Sequence, residues 1–188
     1  MELMHVTEAI RLCGLSDMEY VPEIALERGN AVHAAIALDC GLRPDGTIAA
    51  ESQLDEASVD PVHVAPRLAS FRRWRACANP RIIACERAVS YPAMAYCGRL
   101  DLVVQVSLGA DTIIDVKNGA AANWHPYQTA LYALAWVAEH GGATPARGCL
   151  YLDSQGGPAK WIKHTDRRDC ERAKAIITVA YMRKEGGA

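Results

Sequence analysis

The sequence predicts an α/β fold, a single domain in which a mixed central β-sheet is flanked by helices. Three observations predict it. Residues 1–80 carry helical patterning interrupted by helix stops, residues 81–117 switch to runs rich in Ile, Val and Leu, and a helix, a strand pair and a last helix follow. Helices and strands in that order bury their apolar faces best as layers around one sheet. At 188 residues, 51% of them hydrophobic, the chain is long enough for one sizeable core. One domain is therefore expected over 1–188, with a helical N-terminal part over 1–80 and a sheet-and-helix core over 81–188.

The elements follow in order. Residues 6–13 read as a short helix entered at Thr7 and broken at Gly14. A long helix is expected from Glu19 to Cys40, with Pro22 tolerated in its first turn, Gly29 a point of weakness and Gly41 its stop. Residues 41–60 lack a period and read as a loop. Pro61 to Ala78 reads as a helix ending before Asn79-Pro80. Strands are expected at 81–90, 95–106 and 111–117, with Ser107 to Asp111 as a hairpin connection. Residues 124–140 return to helix and stop at Gly141-Gly142. Strands at 148–153 and 158–163 form a hairpin across Gln155 to Pro158, and a helix from Asp166 to Lys184 completes the chain.

Composition removes several classes. No apolar run reaches the roughly 20 residues that span a bilayer, so no membrane is expected. The first residues, MELMHVTEAIRLCG, lack the basic and apolar regions of a secretory signal. Seven cysteines, an odd number without a C-x-x-C pair, fit a reducing cytoplasm and argue against zinc ribbons. The net charge of −2 neither demands nor forbids a nucleic-acid partner, because a local basic groove matters more than the total.

Chemistry-bearing residues concentrate between Gly98 and Tyr132. In GRLDLVVQV, strict alternation puts Leu100, Leu102, Val104 and Val106 on one face and Arg99, Asp101, Val103 and Gln105 on the other. In DTIIDVK, Ile113, Asp115 and Lys117 share a face, with about 7 Å between Asp115 and Lys117 along the strand. If the two strands pair, Asp101 and Asp115 converge. Two acids brought together out of water need neutralising, and a hard cation with oxygen ligands does so. Such an ion activates water and polarises a phosphate, while Lys117 orients the water or stabilises charge on the phosphate. Read alone, Asp-x-Lys is short and common, and an edge-strand ion pair in solvent is the simpler explanation of it.

Four segments in fixed order carry more weight than any one: ERGNAVHAAI, GRLDLV, IIDVKNG and QTALY. Together they resemble the PD-(D/E)xK nuclease superfamily, in particular its RecB-like branch of phage and mitochondrial exonucleases, related to the CRISPR-adaptation nucleases. The resemblance implies a restriction-endonuclease-like nuclease core and a Mg²⁺- or Mn²⁺-dependent hydrolase. Asp101, Asp115 and Lys117 would be catalytic. His33 of the G-x-x-x-H element, Asp101, Asp115 and the backbone carbonyl of Val116 would hold the metal. Glu86, on the preceding strand, is an open position: some relatives bring an acid there to the metal, and a surface glutamate is the other reading. Gln128 and Tyr132, four apart on one helix face, would contact DNA or the lysine, with Trp124 beside them and Asn118 in a turn that lets a phosphate approach.

RLASFRRWRACANPR supplies Arg72, Arg73 and Arg75 with interleaved Phe71 and Trp74. Arginines with aromatics suit backbone contacts and stacking on single strands, although a solvated basic helix face explains them as well. Only Cys149 and Cys170 lie late in the chain, too few for the iron–sulfur cluster of some relatives, so none is expected. The resemblance implies DNA as substrate in recombination or repair, in the cytoplasm of a bacterial or phage-infected cell. It leaves open a single-strand-binding or annealing protein, or a helicase, as partner. Two alternatives stand beside the exonuclease: a structure-selective or site-specific endonuclease on the same fold, and a non-catalytic nucleic-acid-binding or assembly protein.

Overall fold

The computed structural model describes residues 2–16, 22–41, 61–106 and 109–186. Its elements run β1 (Met4–His5), α1 (Val6–Leu12), α2 (Glu23–Asp39), α3 (Pro61–Ala78), β2 (Arg81–Tyr91), β3 (Tyr96–Gln105), β4 (Thr112–Lys117), α4 (His125–His140), β5 (Ala146–Tyr151), β6 (Lys160–Lys163) and α5 (Arg168–Gly186). The expected mixed sheet flanked by helices is present. The strands follow the order β1-β3-β4-β5-β6, with β2 on the other side of β3. β1 is parallel to β3 and β5 to β4, whereas β2–β3, β3–β4 and β5–β6 are antiparallel.

Each sheet face carries its own core. Helices α1, α4 and α5 cover one face, where Ile10, Tyr96, Leu100, Val103, Ile113, Leu131 and Ile177 are buried together. Helices α2 and α3 cover the other, with Val32, Ile36, Phe71, Cys85, Leu102, Val104, Ile114 and Leu150. α4 is the most apolar of the helices: Pro126 opens its first turn, and Gly141 at φ 71° ends it by returning its N–H to Val137.

Several local expectations shift. The two-residue strand β1 has no signal in the sequence, since only its pairing to Tyr96 and Cys97 defines it. α1 starts one residue earlier than Thr7, behind His5 rather than a hydroxyl cap. Gly29 does not break α2. The start of that helix before Pro22, most of the 41–60 loop and part of the 107–111 connection lie outside the described residues.

A larger correction concerns β3. Strict alternation would put Leu100 with Leu102 and Val104, yet Leu100 is buried with Val103, on the opposite face from Leu102 and Val104. The strand changes face at Asp101. The flanking pairs Cys85↔Leu102 and Arg87↔Leu100 set Glu86 opposite Asp101, and Glu86 has φ 48°. A left-handed residue reverses the side to which a strand presents its neighbours. For a non-glycine residue this costs roughly 1–2 kcal/mol, a strain that concentrates at functional sites.

Candidate active site at a fork in the sheet

β3 and β4 stay paired only over Leu102–Val104 and Thr112–Ile114. Beyond that the strands part, and β1 takes the place beside β3 at Tyr96 and Cys97. The Asp101 side chain bridges the fork: its Oδ2 accepts the Val116 backbone N–H at 2.6 Å. The end of the β3–β4 ladder is thus closed by a carboxylate, which leaves Oδ1 pointing elsewhere.

That second oxygen meets α2. His33 Nδ1 lies 3.4 Å from Asp101 Oδ1 and 3.2 Å from Glu86 Oε1. The ligand atoms of His33, Glu86 and Asp101 all lie within 4.8 Å of one another. A cavity of about 390 Å³ opens over them, lined also by Asn30, Ala34 and Arg99. Burial alone would lower the His33 pKa, but the charges of Asp101 and Glu86 and their hydrogen bonds outweigh it and hold the imidazole well above its usual range. The site therefore favours a positive charge between two carboxylates. An imidazole nitrogen and two carboxylate oxygens also make a donor set that suits Mg²⁺ or Mn²⁺.

Asp115 occupies the other side of the fork. It is 2% exposed, and its Oδ2 lies 2.7 Å from Lys117 Nζ. Lys117 also donates to Gln128 Oε1 at 2.8 Å, Gln128 Nε2 donates to the Tyr132 hydroxyl at 3.2 Å, and the Trp124 ring centre lies 5.1 Å from the ammonium. Burial pushes the Asp115 pKa up and the Asp101 charge adds to that, against the pull of Lys117 and His33. For Lys117, burial works to lower the pKa, but the charges of Asp115 and Asp101 and the bond to Asp115 raise it, so the ammonium stays charged. β4 is central, between β3 and β5, which removes the solvent-exposed edge-strand reading of this pair.

Gly98 makes the arrangement possible. A Cβ there would stand 2.7 Å from Tyr132 Cε1, so only glycine lets α4 lay Tyr132 against β3. The glycine of GRLD and the tyrosine of QTALY are two halves of one contact.

The structure gathers the remaining expected residues unevenly. Glu86, the open position, is a member of the His33 cluster. Asp115 pairs with Lys117 and is not one of the three residues whose ligand atoms cluster at His33. Asn118 lies near Gly29 of α2, and its buried Oδ1 has no hydrogen-bond partner among the described residues. Arg72 and Arg75 both clasp Asp39 at the end of α2, at 2.6 and 3.1 Å, and Phe71 is fully buried. Arg72 and Arg75 thus act as a helix–helix clamp, and of the three arginines Arg73 is the one without an ion pair among the described residues.

Sequence reasoning missed the second layer behind Lys117. The parallel register sets Cys149 beside Asp115 and Tyr151 beside Lys117. The Cys149 thiol donates to Asp115 at 3.6 Å. His125 packs edge-on against Trp124, with Nδ1 accepting the Ala122 N–H at 3.3 Å and lying 2.7 Å from the Tyr151 hydroxyl. Two donors at Nδ1 place any ring proton on Nε2. Burial and the Lys117 charge lower the His125 pKa to about 4, so this imidazole is neutral. The sequence signal was WHPYQ, in which a histidine opens the helix bearing Gln128.

A forked mixed sheet with acids at the fork, a lysine beside one of them and a histidine reaching in from a helix is the arrangement expected of a metal-dependent nuclease. A profile of the PD-(D/E)XK nuclease superfamily matches residues 9–182, and the chain belongs to that superfamily. No curated protein matches the chain in sequence. Among solved structures, a protein of Eubacterium rectale described provisionally as an exonuclease aligns at TM-score 0.56 and 10% identity, over 100% of this chain and 83% of that one. LHK-Exo in complex with dAMP aligns at TM-score 0.43 and 10% identity, over 98% and 89% of the two chains. At 10% identity, the alignment with the Eubacterium rectale protein speaks to a shared fold alone. Among the described residues, no helix is long and apolar enough to cross a membrane.

Proposed function

We propose that the chain is a DNA exonuclease that hydrolyses phosphodiester bonds with Mg²⁺ or Mn²⁺, acting in phage or bacterial recombination or repair. The observation that carries this reading is the convergence of His33, Glu86 and Asp101 within 4.8 Å beside a buried Asp115–Lys117 pair. His33, Glu86 and Asp101 would hold the ion, with Asp115 and the Val116 carbonyl as the further oxygen donors that the family pattern implies. When bound, the ion supplies an activated water and a polarised phosphoryl oxygen.

The chain's own residues do the rest. Lys117 has three ammonium hydrogens, of which Asp115 and Gln128 take two. The third is left for the attacking water or a phosphoryl oxygen, where it stabilises the negative charge that develops as the P–O bond breaks. Its raised pKa suits it to donation and not to proton abstraction. Gln128, Tyr132 and Trp124 hold its direction, and Asn118 sits in the turn that would let a phosphate approach. Arg73 remains for a distant phosphate contact, and a single-strand-binding or annealing protein or a helicase would act alongside.

End-labelled linear DNA, single- and double-stranded, tests this with Mg²⁺, Mn²⁺ or chelator. The expected result is metal-dependent shortening from ends with closed circles left intact. Cleavage of circles as fast as linear DNA would replace the exonuclease by an endonuclease, and no metal-dependent cleavage of any substrate would remove the nuclease reading.

A further inference from the structure

The sheet face that α2 and α3 cover extends only part of the way along β2 and β3. Cross-strand pairs present one face together, and Ala88↔Arg99, Ser90↔Cys97 and His5↔Cys97 are such pairs. Their alternate neighbours Val89 and Tyr96 are buried under α1 and α4, so His5, Ala88, Ser90, Cys97 and Arg99 belong to the opposite face. These five line a cavity of about 340 Å³. Arg99 also lines the cavity over His33, Glu86 and Asp101. The two cavities therefore share a wall, and the shared residue is an exposed arginine without an ion pair among the described residues.

The far end of the second cavity has the opposite sign. Glu139, from the end of α4, accepts the Ser90 backbone N–H at 2.6 Å and the Ser90 hydroxyl at 3.1 Å. Ser90 is two residues beyond Ala88 on β2, about 7 Å from the level of Arg99. A guanidinium at the near end attracts a phosphate, and a carboxylate at the far end repels one. At about 340 Å³ the cavity is near the small end of the ~300–1,000 Å³ that ligand pockets span. That volume suits one nucleoside between Arg99 and Glu139, and the Glu139 charge disfavours a further phosphate at the far end.

We infer that this uncovered patch of sheet is a subsite for the terminal nucleoside of a DNA strand. Arg99 holds the phosphate that links it to the rest of the strand, and Glu139 with Ser90 faces the chain end and excludes a phosphorylated one. The inference rests on the exonuclease reading and deepens it, because an end-stop next to the metal cavity is what confines cleavage to termini. The small side chains of Ala88, Ser90 and Cys97 form the floor, which lets a sugar ring lie close to the sheet.

Equilibrium binding of a fluorescent single-stranded hexanucleotide in Ca²⁺ tests the subsite without relying on turnover. The wild-type chain is expected to bind a hydroxyl-ended hexamer at least fivefold more tightly than one phosphorylated at both ends. Glu139→Gln should shrink that preference to under twofold. Arg99→Ala, and Ala88→Trp at an exposed position that tolerates bulk, should each weaken binding of the hydroxyl-ended strand at least fivefold. Equal affinity for both kinds of end in the wild type, or undiminished binding in both Arg99→Ala and Ala88→Trp, overturns the subsite whatever the chain cleaves. The expected binding pattern from a chain that degrades no DNA overturns the nuclease reading and leaves the subsite standing.

Discussion

The two sides of the fork differ in how completely their charges are answered. On the α4 side, Asp115, Lys117, Gln128 and Tyr132 form a continuous run of ion pair and hydrogen bonds, buried and backed by His125 and Tyr151. On the α2 side, two carboxylates share a single ring nitrogen of a side chain that is 25% exposed. The charges of the first side are answered within the protein; the second is an anionic cluster in which the His33 proton stands where a cation would. On the proposed reading, the Lys117 ammonium is held rigidly and the face offered to a metal stays open, so that only the ion and DNA would remain to be added.

The widest effect on that contrast should come from emptying the open side. Asp101→Ala removes a donor from the cluster and frees the Val116 N–H at the fork. Several kcal/mol of transition-state stabilisation go with the ion, so kcat on linear DNA should fall by about 10³-fold or more. Circular dichroism should show the fold intact. Cleavage within about tenfold of wild type would place the metal elsewhere.

Breaking the closed side should cost stability as well as rate. Lys117→Ala leaves Asp115 buried without its partner, which by analogy with other broken buried pairs costs about 3–5 kcal/mol in denaturant unfolding at neutral pH. The loss should shrink toward acid pH, where Asp115 takes a proton. A variant as stable as wild type would mean the pair contributes little to the fold.

His125 sharpens the comparison through pH. Its native pKa of about 4 lies below the ordinary 6.5, so between those values the unfolded chain binds a proton that the native chain does not. Stability supplied by the neutral ring is fully present above pH 6.5 and is lost as pH falls toward 4, by up to about 3 kcal/mol. His125→Gln should flatten this acid limb in urea unfolding measured from pH 7 to 4.5. An unchanged slope would show that the imidazole is not held neutral. The smallest effect is expected at Glu86: Glu86→Gln keeps the shape, removes one charge and should weaken Mn²⁺ binding about tenfold, as read by calorimetry.

Much of the fold was legible because its signals are local. Runs such as RIIA, LVV and TIID announce strands, and Gly41, Gly141 and Asn79-Pro80 mark helix ends, with boundaries within a few residues. The acids and the lysine at the fork stood out for the same reason. What was hidden depends on pairing. Strict alternation failed at Asp101, the position opposite which Glu86 of the partner strand β2 adopts a left-handed conformation. The β4–β5 register that sets Cys149 and Tyr151 behind the acid–lysine pair has no local signature. Arg72 and Arg75 looked free until α2 brought Asp39 to them. The pairing of Gly98 with Tyr132 likewise belongs to packing and not to either motif alone.

The open side carries the central claim, and Mn²⁺ itself can interrogate it. Titration of the wild-type chain and Asp101→Asn at neutral pH, with free Mn²⁺ followed by electron paramagnetic resonance, should reveal saturable binding in the wild type that weakens at least tenfold in the variant. Wild-type and variant curves that coincide, or a wild-type chain that leaves all the Mn²⁺ free, would contradict a metal held by His33, Glu86 and Asp101.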